Sequence, residues 1–148
     1  IMGLLSINLG AATSGNLLLR GLVTAETAIL ITPEASAVTL DLSASPTNLK
    51  VATSNEKSNS ASGYTISVSS VNNGFLANGV VDSLAYELSY GGSGFATPTT
   101  AGAIVKTQSL AGVYNVDSDV NIRYTGKANA AMAQGTYEDT LTFTISAI

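Results

Sequence analysis

The stretch Thr140-Leu141-Thr142-Phe143-Thr144-Ile145-Ser146-Ala147 decides how the rest of the chain is read. Apolar and hydroxyl-bearing side chains alternate through it without a break. In an extended chain, successive side chains point to opposite faces, so Leu141, Phe143, Ile145 and Ala147 share one side and the threonines and Ser146 the other. Threonine and serine sit comfortably on the solvent face of a strand. The segment is therefore a half-buried β-strand.

The same period of two recurs upstream. Val38, Leu40 and Leu42 alternate with Thr39, Asp41 and Ser43, and Leu49, Val51 and Thr53 follow the breaker Ser45-Pro46-Thr47. Tyr64, Ile66 and Val68 form a further row, as do Leu84, Tyr86, Leu88 and Tyr90, and then Val120, Ile122 and Tyr124. Ser62-Gly63, Asn72-Asn73-Gly74, Asn78-Gly79 and Gly91-Gly92-Ser93-Gly94 separate these runs with residues that tolerate positive φ. The longest irregular region is Gly91 to Gly102. No stretch holds a helical pattern over three turns; the Ala-rich Lys127–Gln134 is bounded by Gly126 and Gly135. Neither an internal repeat nor a linker marks a second domain. The pattern predicts an all-β, immunoglobulin-like Greek-key β-sandwich over residues 16–148, preceded by an N-terminal extension at 1–15.

Composition narrows the function. The 148 residues are 45% hydrophobic and only 11% charged, so Ser, Thr, Asn and Gly must cover the surface, as on secreted β-proteins. The expected location is outside the cell, secreted or on its surface. A net charge of −4 with six Lys and Arg argues against nucleic acid as a partner. With no His and no Cys, the chain has no imidazole acid–base chemistry, thiolate nucleophile or disulfide. No metal, cofactor or enzymatic activity is expected. No apolar run approaches the roughly 20 residues that span a bilayer.

The first twelve residues support two readings. The run up to Leu9-Gly10-Ala11-Ala12 resembles the trailing half of a secretory signal with its cleavage region. Equally, Leu5, Ile7 and Leu9 alternate with Ser6, Asn8 and Gly10 as a strand does. No basic start precedes the segment, which favours the strand.

Other groups carry weaker signals. Asp117-Ser118-Asp119 lacks the glycine turn and distant Glu of a calcium loop and is expected as a solvated turn before the strand at Val120. Glu138 and Asp139 are neighbours, which on a strand point apart and cannot flank a glycosidic bond. Gly91-Gly92-Ser93-Gly94 has no following Lys and is not a phosphate loop. Tyr64, Tyr86, Tyr90, Tyr124 and Tyr137 are expected to straddle core and surface, with a sugar-stacking platform as the alternative. Tyr137, just after Gly135, is either a tyrosine corner or an ordinary strand residue.

Two segments carry a resemblance. Asn59-Ser60-Ala61-Ser62-Gly63-Tyr64-Thr65-Ile66-Ser67-Val68 and Gly135-Thr136-Tyr137-Glu138-Asp139-Thr140-Leu141-Thr142-Phe143-Thr144-Ile145 resemble the spore coat protein U domain and related pilin-like secreted subunits of chaperone–usher systems. The likeness follows the order of elements from Leu17 to Ile148 and runs residue by residue only in these two segments; the absence of cysteine departs from members that carry a disulfide. It implies a sandwich missing its last strand, completed by an extended segment of the next subunit, with a periplasmic chaperone and an outer-membrane usher as partners. A sheet without its edge strand leaves unpaired backbone and an apolar groove, and both invite a foreign strand. On this reading Leu5, Ile7 and Leu9 form the donor strand. Leu141, Phe143 and Ile145 line the acceptor groove with an early strand carrying Leu17, Leu19 and Leu22. Head-to-tail donation then builds a homo-oligomer or filament. The alternatives are an extension that completes its own domain, and a monomeric adhesin or carbohydrate-binding module using the Gly91–Gly102 loop.

Overall fold

The computed structural model describes Gly3, Gly10 and residues 13–148, and the expected donor residues Leu5, Ile7 and Leu9 lie outside them. The described chain is all-β, with two antiparallel sheets. Its strands are β1 (Thr27–Pro33), β2 (Leu49–Ser58), β3 (Tyr64–Ser70), β4 (Phe75–Asn78), β5 (Asp82–Tyr90), β6 (Ala103–Gln108), β7 (Tyr114–Tyr124) and β8 (Leu141–Ala147). One sheet has the order β1-β2-β7-β5-β4 and the other β6-β3-β8. Two short 3-10 turns, Ala35–Val38 and Asn129–Ala131, are the helical elements among the described residues.

The alternating rows become the core. From β3 come Tyr64, Ile66 and Val68, at 0%, 0% and 2% exposure. They meet Leu84, Tyr86, Leu88 and Tyr90 of β5 and Val120, Ile122 and Tyr124 of β7, all buried. Each such side chain contributes roughly 1.5–3 kcal/mol on burial, which lets sheet packing hold a chain without disulfides. Strand β8 lies on β3 in a register that places Ile145 opposite Ile66 and Phe143 opposite Val68, so its apolar row faces inward.

The turns form where Gly and Asn signalled them: φ is positive at Gly63, Asn73, Gly74, Gly79, Gly91 and Gly92. Gly63 is the most constrained. Its φ is +90°, and an added Cβ would lie 1.9 Å from the carbonyl oxygen of Gln108, so both conformation and space require glycine.

Several segments differ from the sequence reading. Val38–Leu42 is not a strand: it leaves a 3-10 turn, and the Asp41 carboxylate accepts bonds from Ser43 N (3.0 Å) and Ser43 Oγ (2.6 Å), a local turn that outcompetes a ladder. Asp117-Ser118-Asp119 is not a turn but the middle of β7, where Ser118 points inward. Leu17, Leu19 and Leu22 form no strand; among the described residues the first strand is β1, from Thr27.

Candidate functional site

Strands β1 and β8 are edges of different sheets, each paired on one side only among the described residues. They run beside one another with Cα atoms inside 8 Å, yet no backbone hydrogen bond joins them among the described residues. The opposite edge of the larger sheet is treated differently. There Ala77 of β4 exchanges both backbone bonds with Glu138, at 3.0 and 3.1 Å.

The seam between β1 and β8 is apolar and incompletely covered. Ile29 and Ile31 of β1 and Leu141, Phe143 and Ile145 of β8 all point toward the core but remain half-buried, whereas the adjoining row on β3 is sealed. The structure thus brings Leu141, Phe143 and Ile145 together with Ile29 and Ile31. It does not bring Leu17, Leu19 and Leu22 to this face: they are 82%, 83% and 90% exposed, on an arm ahead of β1. Sequence reasoning missed Ile29 and Ile31 because Ala28-Ile29-Leu30-Ile31 is an unbroken apolar run with no period to read.

The arm is tied down at its root. Asn59, just past β2, accepts from the Glu26 N–H at 2.6 Å through its side-chain oxygen and donates to the Thr24 carbonyl at 2.9 Å through its side-chain nitrogen. Its own backbone N–H donates to the Glu26 carbonyl at 3.1 Å.

Behind the seam lies a charged group that the alternation concealed. Glu56 sits opposite Ile29 on the inward face of β2 and is 0% exposed. Its carboxylate accepts from the hydroxyls of Tyr64 (2.6 Å), Tyr90 (2.6 Å) and Ser118 (2.7 Å), and from Lys106 Nζ at 2.7 Å. Ser54 Oγ lies 2.8 Å from the Tyr90 hydroxyl. Burial pushes the carboxyl pKa up, but the bonds from Lys106, Tyr64, Tyr90 and Ser118 outweigh it and hold the group below its ordinary value. The phenols of Tyr64 and Tyr90 are raised, by burial first and by Glu56 second. The cluster links β2, β5 and β7 of one sheet to β3 and β6 of the other.

A second carboxylate organises the approach to β8. Asp139 accepts from Ser70 Oγ (2.5 Å), Tyr86 Oη (2.6 Å), Thr140 N (2.8 Å) and Asn72 N (2.9 Å). Its neighbour Glu138 is exposed, whereas Asp139 is half-buried. Tyr137 Oη lies 2.9 Å from the carbonyl of Ala133, four residues upstream, and 2.7 Å from Asp82. Tyr64, Tyr86, Tyr90 and Tyr124 are buried with engaged hydroxyls and offer no sugar-stacking face.

On the far side, an open cleft of about 980 Å³ is lined by Phe75, Tyr86, Glu87, Arg123 and Lys127 among others. Arg123 is already occupied, paired to Glu87 at 2.5 Å and lying 4.7 Å over the ring of Phe95. Among the described residues, no group of three or more acidic side chains is placed to hold a metal ion, and no helix is long and apolar enough to cross a membrane. No family model, curated protein or solved structure matches the chain.

Proposed function

We propose that this protein is a structural subunit of an extracellular bacterial pilus, fibre or coat, assembled by donor-strand complementation. The fold is then an immunoglobulin-like Greek-key sandwich lacking one edge strand, and its seam takes up an extended segment of a neighbouring copy. The observation that carries this reading is the half-covered row Ile29, Ile31, Leu141, Phe143 and Ile145 between two edges that share no hydrogen bonds. A strand entering there satisfies open backbone groups and removes apolar surface from water, at roughly 25 cal/mol for each Å² covered. The chain connections support the Greek-key assignment: β2 to β3, β5 to β6 and β7 to β8 each pass from one sheet to the other. Its partners are further copies of itself, with a periplasmic chaperone and an outer-membrane usher during export. It catalyses nothing and needs no cofactor.

Solution mass by light scattering, over a range of concentrations, tests this on the full chain and on a version lacking residues 1–23. The full chain is expected to form particles that grow with concentration, resist detergent and dissociate on heating. The shortened chain is expected to stay monomeric. A full chain that remains a monomer at every concentration overturns the proposal.

A second reading, a carbohydrate-binding module, rests on the open cleft beside Phe75, a residue 39% exposed. Saturable glycan binding by a monomer, lost in Phe75→Ala, would favour it.

A further inference from the structure

Resting on strand donation as the mode of assembly, we infer that the donor segment is Leu17–Val23 and that Asn59 directs it to a second copy by preventing it from closing on its own seam. The segment has seven residues, as do both strands that flank the seam, Thr27–Pro33 and Leu141–Ala147. As a strand it spans about 23 Å at the usual rise. Its two faces are unequal. Leu17, Leu19, Gly21 and Val23 form one row and Leu18, Arg20 and Leu22 the other. Burying Arg20 without a partner is prohibitive, so the row without it enters the seam, and Leu17, Leu19 and Val23 provide the apolar contacts. These three are 82%, 83% and 83% exposed in the isolated chain.

The arm is continuous with β1, so filling its own seam means reversing within Thr24-Ala25-Glu26 and returning along the edge of β1 that faces away from β2. That hairpin meets two obstacles. A three-residue reversal calls for a left-handed residue, usually Gly, and none of these three is Gly or Asn. In addition, the Thr24 carbonyl and the Glu26 N–H, which flank the bend, are both held by the Asn59 side chain on the β2 side of β1, away from β8. The root stays fastened to Asn59 and the arm stays exposed. A second copy's seam, flanked by strands of the same length, offers the arm a matching apolar groove.

The test uses full-length chains carrying single changes, compared by light scattering and by fluorescence anisotropy with a labelled peptide of residues 16–24. Leu19→Asp is expected to weaken assembly at least about tenfold, the equivalent of one buried anchor side chain, and to leave a folded monomer whose empty seam binds the peptide. Asn59→Ala frees the root. It is expected to raise the monomer fraction in a different form, one that refuses the peptide because its own arm fills the seam. Asn59→Asp keeps the acceptor for Glu26 and loses the donor to Thr24, so it should fall between Asn59→Ala and the parent chain. Assembly of Leu19→Asp at the parent level overturns the donor assignment. If deleting residues 1–12 then abolishes assembly, strand donation survives with a different segment. Unchanged assembly of Asn59→Ala overturns the directing role alone, and a parent chain that never assembles defeats the underlying reading instead.

Discussion

Replacing Glu56 by alanine is expected to lower stability by about 3–5 kcal/mol, the usual penalty for breaking a buried ion pair from one side. The carboxylate is the common acceptor for Lys106, Tyr64, Tyr90 and Ser118, and removing it leaves an ammonium group without its counter-charge and the Tyr64 hydroxyl without its acceptor between the sheets. For a chain of this size the loss corresponds to a fall in Tm of roughly 10 °C or more. Chemical denaturation of the full chain measures it. The double variant Glu56→Leu, Lys106→Met should cost less than Glu56→Ala, since it removes both charges together and leaves only neutral hydroxyls to find other partners. A Glu56→Ala variant as stable as the parent would show that the cluster contributes nothing. The same group makes stability depend on pH. Its pKa is depressed in the folded chain, so the unfolded chain binds the proton more readily. The contribution is therefore complete above the ordinary Glu value of about 4.3 and is lost as pH falls through the lower folded value. Denaturation midpoints should decline over that acidic range in the parent and decline less in Glu56→Ala.

Asp139→Ala carries the second large effect, about 3 kcal/mol, on the scale of lost hydrogen bonds to a charged group. Two of its donors are the backbone N–H groups of Thr140, just ahead of β8, and Asn72, in the turn after β3, and two are the hydroxyls of Ser70 and buried Tyr86. The damage should be local before it is global. Amide exchange at Val71, whose N–H is bonded to the Thr140 carbonyl, is expected to accelerate more than exchange at the middle of β3. Asp139→Asn keeps an oxygen for the two backbone donors and should lose about half as much. Equal acceleration across β3 would mean that Asp139 has no special hold on the start of β8.

The sequence revealed strands where burial alternates along a single face. β3, β5 and β8 put apolar side chains inward and polar ones outward, so their period is visible. β2 conceals its inner row because Ser54, Glu56 and Ser58 point inward and Asn55 and Lys57 point outward, leaving polar residues on both faces. No period in composition distinguishes such a face; only the donors arriving from other strands do, and those are distant in sequence. β1 fails for the opposite reason, being apolar on both faces. That one run accounts for most of the difference at the candidate site: the seam is lined by Ile29 and Ile31, while the leucines expected there lie on the exposed arm. The turn at Gly63 was legible because a positive φ is a local requirement that glycine meets.

The short tie at Thr24-Ala25-Glu26 has a mechanical consequence. In a filament built by passing Leu17–Val23 into the next copy, these three residues are all that connects an inserted strand to its own first strand. Fully extended they reach about 10 Å, less than the width of a domain, and Asn59 immobilises them further. Successive subunits would have little room to swing, so such a fibre should bend as a stiff rod and not hang as a chain of loosely jointed beads.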